Sequence, residues 1–162
     1  MSTLAWTDDL ALQHPQMDLT HQEFIELLAA ADAVLAPGQE AALLARFDTL
    51  VAHTIEHFGQ EDRWMQASGF APENCHSFQH QAVLQVMQEC ARRARLTDAP
   101  DFEPLRIAVR ELAVWFPQHA KMMDAALAQH LESVGLDIAS GQCAQAPAAG
   151  AITGCGGSSC GG

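Results

Sequence analysis

The sequence predicts an all-α domain: an up-down-up-down antiparallel four-helix bundle with an N-terminal arm and a flexible C-terminal tail. Three observations carry this. Ala, Leu, Gln and Glu are plentiful while β-branched residues are sparse. No run alternates with period two, whereas apolar residues recur at three- and four-residue steps. Turn signals at Pro37-Gly38, at Ser68-Gly69 with Pro72, and between Leu96 and Pro104 cut the chain into four segments of helical length. Short connections between such helices make antiparallel neighbours.

The arm occupies the residues before about 18, where His14-Pro15 interrupts any regular pattern. The first helical stripe is His21, Phe24, Leu28, Ala31, Leu35, and the second is Leu43, Phe47, Leu50, Thr54, His57, Glu61, Trp64. The third reads His76, His80, Val83, Met87, Cys90, Ala94, and the fourth Leu105, Leu112, Trp115, His119, Met122, Ala126. Composition changes near residue 137. Residues 138–162 carry no charge but hold seven of the eleven glycines and three of the five cysteines. That stretch reads as a disordered Gly/Ala/Cys-rich tail, leaving 1–137 as the folded domain.

Composition also restricts partners. Eight Lys+Arg against 20 Asp+Glu give a net charge of −12. Nucleic acid and anionic membrane surfaces, which need a basic patch, are poor partners. No apolar run approaches the roughly 18–20 residues of a membrane span, and the first residues lack the cationic start and apolar run of a secretion signal. A cytoplasmic monomer is expected. The odd number of cysteines fits a reducing compartment.

The informative feature is what interrupts the stripes. Each helix places a histidine where packing favours leucine, and the second adds Glu61. An unpaired buried imidazole or carboxylate costs several kcal/mol, and a metal ion removes that cost by turning the groups into ligands. His57 and Glu61, like His76 and His80, are four residues apart and project from one helix face. Such pairs are common in a chain with eight histidines, and His53 with His57 forms another. Their joint placement on the core faces of different helices carries the weight. Imidazole and carboxylate donors suit iron, manganese or zinc, and this many donors exceed what one tetrahedral zinc takes. A ferritin-like arrangement needs Glu-x-x-His on two helices; only Glu73 with His76 supplies it.

Met17-Asp18-Leu19-Thr20-His21, then His57-Phe58-Gly59-Gln60-Glu61-Asp62-Arg63-Trp64-Met65, then His76 to His80, and finally Trp115 through His119 to Asp124 together resemble the bacterial hemerythrins. The resemblance spans roughly residues 4–132. It implies a centre of two non-haem iron ions. His76, His80 and His119 would ligate one, His21 and His57 the other, and Glu61 and Asp124 would bridge them beside a solvent-derived oxo or hydroxo group. The iron with two histidines keeps an open position, where family members bind dioxygen. Asp124 comes from the resemblance alone: five residues beyond His119 is about 140° round an α-helix, so this pair needs a local distortion, which Pro117 could provide. Phe70 stands where members often carry tyrosine, and the chain has no tyrosine.

The first functional reading is a non-enzymatic oxygen-binding protein for storage, delivery or scavenging. The alternative uses the same centre for peroxide or nitric oxide reduction, or for iron donation to cluster repair. A third is a metal-free structural bundle. His14, His53 and His130 match no family ligand: His14 belongs to the arm, His53 reads as an ordinary bundle residue, and His130 as lying near the solvated end of the last helix. Trp64, Trp115, Phe58 and Met122 are expected to line the irons. Cys155 and Cys160, with Cys143, make the tail either a plain disordered end or a handle for a soft metal or thiol partner.

Overall fold

The computed structural model describes residues 4–70 and 74–144. Pro72, Glu73, Cys155 and Cys160, and with them most of the expected tail, lie outside the described residues. The elements are a 3-10 turn at Asp8–Leu10, α1 (Pro15–Asp32), α2 (Glu40–Ser68), α3 (Cys75–Ala94), α4 (Glu103–His119), a π turn at Ala120–Asp124 and α5 (Ala125–Val134). α1 packs on α2 and α4, and α3 packs on the same two. The fourth helix of the bundle is thus α4, the π turn and α5 in one line.

Local chemistry sets the helix ends. α1 starts three residues earlier than the sequence suggests, because Pro15 occupies the first turn with φ already fixed and His14 acts as its cap. His14 Nδ1 accepts the Met17 N–H at 3.2 Å. α2 stops at Gly69, whose φ of 71° few side chains tolerate. α3 opens with a capping box, in which the Asn74 side chain accepts the Ser77 N–H and Ser77 Oγ accepts that of Asn74. Lys121, the chain's single lysine, pairs with Asp9 and fastens the arm to the π turn.

The π turn overturns one expectation. A turn closed by an i to i+5 bond, here Ala125 N–H to Ala120 O, takes one extra residue and shifts the phase of everything beyond it. Met122, expected among the core residues lining the irons, is therefore 68% exposed, and Asp124, Leu127 and Leu131 are buried instead. Past α5 the helical pattern also gives way. Leu136–Asp137 pairs antiparallel with Gln142–Cys143 (β1 and β2), so the expected boundary at 137 falls inside a small ribbon.

The apolar core comes in two parts. The larger holds Phe24, Leu28, Phe47, Leu50, Met87, Leu112 and Phe116. The smaller holds Met17, Trp64, Met65, Phe70, Leu127 and Leu131. On three of the four helices a buried polar residue lies between these parts: His21 between Met17 and Phe24, Glu61 between Leu50 and Trp64, Asp124 between Phe116 and Leu127. The bundle thereby holds a polar layer between two hydrophobic ones.

Candidate metal centre

All seven residues singled out in the sequence meet in that layer. His21, His57, Glu61, His76, His80, His119 and Asp124 are each at most 3% exposed. Their donor atoms form two groups. Glu61, His76, His80, His119 and Asp124 make one, and His21, His57, Glu61 and Asp124 make the other. The two carboxylates belong to both.

Each carboxylate divides its oxygens between the groups. Glu61 Oε1 lies 3.0 Å from His57 Nε2 and 3.7 Å from His21 Nε2, while Oε2 lies 3.3 Å from both His76 and His80 Nε2. Asp124 Oδ2 lies 3.2 Å from His21 Nε2, while Oδ1 lies 2.9 Å from His76 and 3.1 Å from His119 Nε2. The π turn makes this possible. With roughly 4.4 residues per turn, five steps bring Asp124 back to within about 50° of His119, where an α-helix would leave it about 140° away. Pro117 sits one turn earlier, leaving the Ala113 carbonyl without its usual donor.

Hydrogen bonds within the protein do not satisfy this layer. His21 Nε2, His76 Nε2, Glu61 Oε2 and both Asp124 oxygens are buried without a hydrogen-bond partner. His80 and His119 turn Nε2 toward each other at 3.2 Å, a contact that leaves one ring to donate and the other to accept. Five inward nitrogens and two carboxylates, most of them unmet, form the donor set a cation would satisfy.

Electrostatics of the ion-free protein agree. Burial opposes charge on His21 and His76, but the close carboxylates of Asp124 and Glu61 outweigh it and raise them to about 9 and about 10. His119 goes the other way, its burial dominating. Burial works against ionised Glu61 and Asp124, and Glu61 repels charge on Asp124, yet the surrounding imidazoles hold both well below the usual carboxylate range.

Of the side chains expected to line the site, Phe58 and Trp115 do so. Phe58 is stacked on His80 with centroids 3.9 Å apart, and Trp115 on His119 at 4.4 Å. Trp64 is buried, against the ring of His14. His53 is half-buried, bonded to Glu23 at 3.3 Å and edge-on to His57. His130 is tied down rather than solvated: its Nε2 donates to the Ser68 carbonyl at 2.9 Å, joining α5 to the end of α2. Two residues given no role in the sequence, Asp62 within the quoted motif and Gln79 between the paired histidines, also touch the site. Asp62 accepts from His80 Nδ1 and Gln79 from His119 Nδ1, each at 3.2 Å. The signals are a place in the family-like string for Asp62 and, for Gln79, position beside His80.

Comparison with known proteins gives a consistent picture. The family described as the hemerythrin HHE cation binding domain matches residues 14–131. A protein named bacteriohemerythrin from Ralstonia nicotianae is 36% identical over 137 residues, covering 85% of this chain and 95% of that protein. One of the same name from Stenotrophomonas maltophilia is 27% identical over 134 residues, 82% of this chain and 84% of its own. Another, from Pseudomonas paraeruginosa, is 25% identical over 89 residues, 55% of this chain and 58% of its own. No solved structure matches the chain. Among the described residues, no helix is long and apolar enough to cross a membrane.

Proposed function

The chain belongs to the hemerythrin family, and on that premise we propose that it is a reversible oxygen-binding protein built around two non-haem iron ions. The observation that carries this is the sharing of Glu61 and Asp124, one oxygen of each facing histidines of the first group and the other facing histidines of the second. A single ion would need only one of these groups. Two dications held by two carboxylates would leave positive charge over, which a solvent-derived oxo or hydroxo group would offset.

In this reading His76, His80 and His119 hold one iron and His21 and His57 the other. The second half supplies one nitrogen fewer and so would be the half with room for dioxygen. A ferrous pair supplies the electrons that oxygen binding draws on. The protein supplies position and dryness. Phe116 stands edge-on to His21 at 5.1 Å, Phe24 lies 6.3 Å from the ring of His57, and both phenylalanines are fully buried. Such a wall admits an apolar diatomic molecule while slowing the entry of water and protons.

Spectroscopy of the iron-loaded protein, reduced without air and then exposed to oxygen, tests the reading. Visible charge-transfer bands should appear with oxygen and fade when it is removed, with one molecule taken up per chain and none consumed. Bands that form once and never reverse, or steady oxygen consumption with an electron donor, would replace storage or delivery by redox chemistry or iron handling.

A further inference from the structure

Two of the five inward imidazoles are held from behind, and the two holds differ in charge. His80 on α3 has Nδ1 3.2 Å from Oδ1 of Asp62 on α2. His119 at the end of α4 has Nδ1 3.2 Å from Oε1 of Gln79 on α3. Each acceptor therefore reaches across from the preceding helix. Ring planes are fixed separately, by Phe58 parallel to His80 within 5° and by Trp115 at 26° to His119. The stack sets the plane of the ring, the acceptor sets its rotation within that plane, and Nε2 is left one direction to face. Nδ1 of His21, His57 and His76 has no hydrogen-bond partner among the described residues.

We propose that Asp62 and Gln79 are positioning residues for the three-histidine half, and that the Asp62 carboxylate also makes His80 the stronger donor to an ion. The inference rests on reading the cluster as an ion centre. An imidazole that gives its Nδ1–H to an acceptor is fixed in the tautomer whose Nε2 lone pair points inward. When the acceptor is a carboxylate, electron density also moves toward Nε2, which favours ion binding and the higher oxidation state. The Gln79 amide orients His119 without that push. Asp62 is 38% exposed, so replacing it opens no core cavity.

The test compares D62A, D62N, Q79A and E56Q in the full-length chain, the last removing an exposed acid from the same helix. Two quantities are read: zinc affinity by chelator competition, and the reduction potential of the iron-loaded protein. D62A is expected to lose about 10- to 100-fold in zinc affinity and to shift the potential positive. D62N keeps an acceptor, so it should hold zinc within a few-fold of wild type while still shifting the potential. Q79A should cost affinity with a smaller potential shift, and E56Q should move neither. Wild-type affinity and potential in D62A would overturn the proposal, as would a shift in E56Q equal to that in D62N. Wild-type protein that takes up neither metal would overturn the ion centre itself and this inference with it.

Discussion

Glu61 faces both halves of the centre, so its replacement should behave differently from that of any single histidine. Glu61→Gln keeps the volume of the side chain and removes one of the two carboxylate charges from both donor groups, whereas His57→Ala touches only the two-histidine group. An ion held at 100 times its dissociation constant adds about 2.7 kcal/mol of stability, so two add about 5.5 kcal/mol. At about 2–4 °C per kcal/mol for a domain of this size, wild-type protein should melt roughly 10–20 °C higher loaded than chelated. In E61Q that difference should shrink to below about 5 °C, and metal analysis should show loss of both ions. H57A should keep one ion and about half the difference. Thermal melts with and without chelator, beside metal analysis, read both quantities. E61Q that retains two ions and the full chelator-sensitive difference would refute the sharing of this carboxylate. E61Q that melts as high as wild type, or higher, in both states would instead support a structural bundle with no metal role.

Three further outcomes follow from the same geometry. In the chelated protein, the stability that His21 and His76 contribute is complete below their ordinary value of 6.5, declines above it, and is gone beyond about 9 and about 10 respectively. Glu61 and Asp124 contribute in the opposite sense, fully above their ordinary 4.5 and 3.8 and less as pH falls further. His119, lowered by burial, works against the fold below 6.5, so the clear expectation is a melting temperature of chelated protein that falls as pH rises from about 6.5 to 10, and a curve flat over that range would contradict this. Pro117→Ala returns an N–H that the Ala113 carbonyl can accept, so chelated protein should melt higher while metal affinity changes; no change in either would show that Pro117 has no part in aiming His119. Asn74→Ala removes the α3 cap and should cost about 1 kcal/mol in loaded and chelated protein alike, as denaturant titration would measure.

The bundle was legible because burial imposes a period: Phe24 with Leu28, Leu43 with Phe47 and Leu50, and Leu105 with Leu112 all lie inside, as their spacing requires. His57 with Glu61 and His76 with His80 were legible for the same reason. Asp124 was not, since its spacing from His119 suits an α-helix poorly and only the resemblance named it. The π turn that reconciles the two also displaced Met122 from the core, because one extra residue per turn changes every later phase. Asp62 and Gln79 left no periodic trace. They act through Nδ1 of a ring on a neighbouring helix, and contact between helices is a property of packing rather than of spacing. The role of His130 was hidden likewise, its partner being a backbone carbonyl 62 residues away.

The central claim is that two ions sit side by side and share Glu61 and Asp124. Anomalous diffraction at the iron edge from crystals of iron-loaded protein tests it most directly. Two peaks should appear within the polar layer, one on the side of His76, His80 and His119 and one on the side of His21 and His57, with both carboxylates between them. A single peak, or none within reach of both carboxylates, would contradict the account.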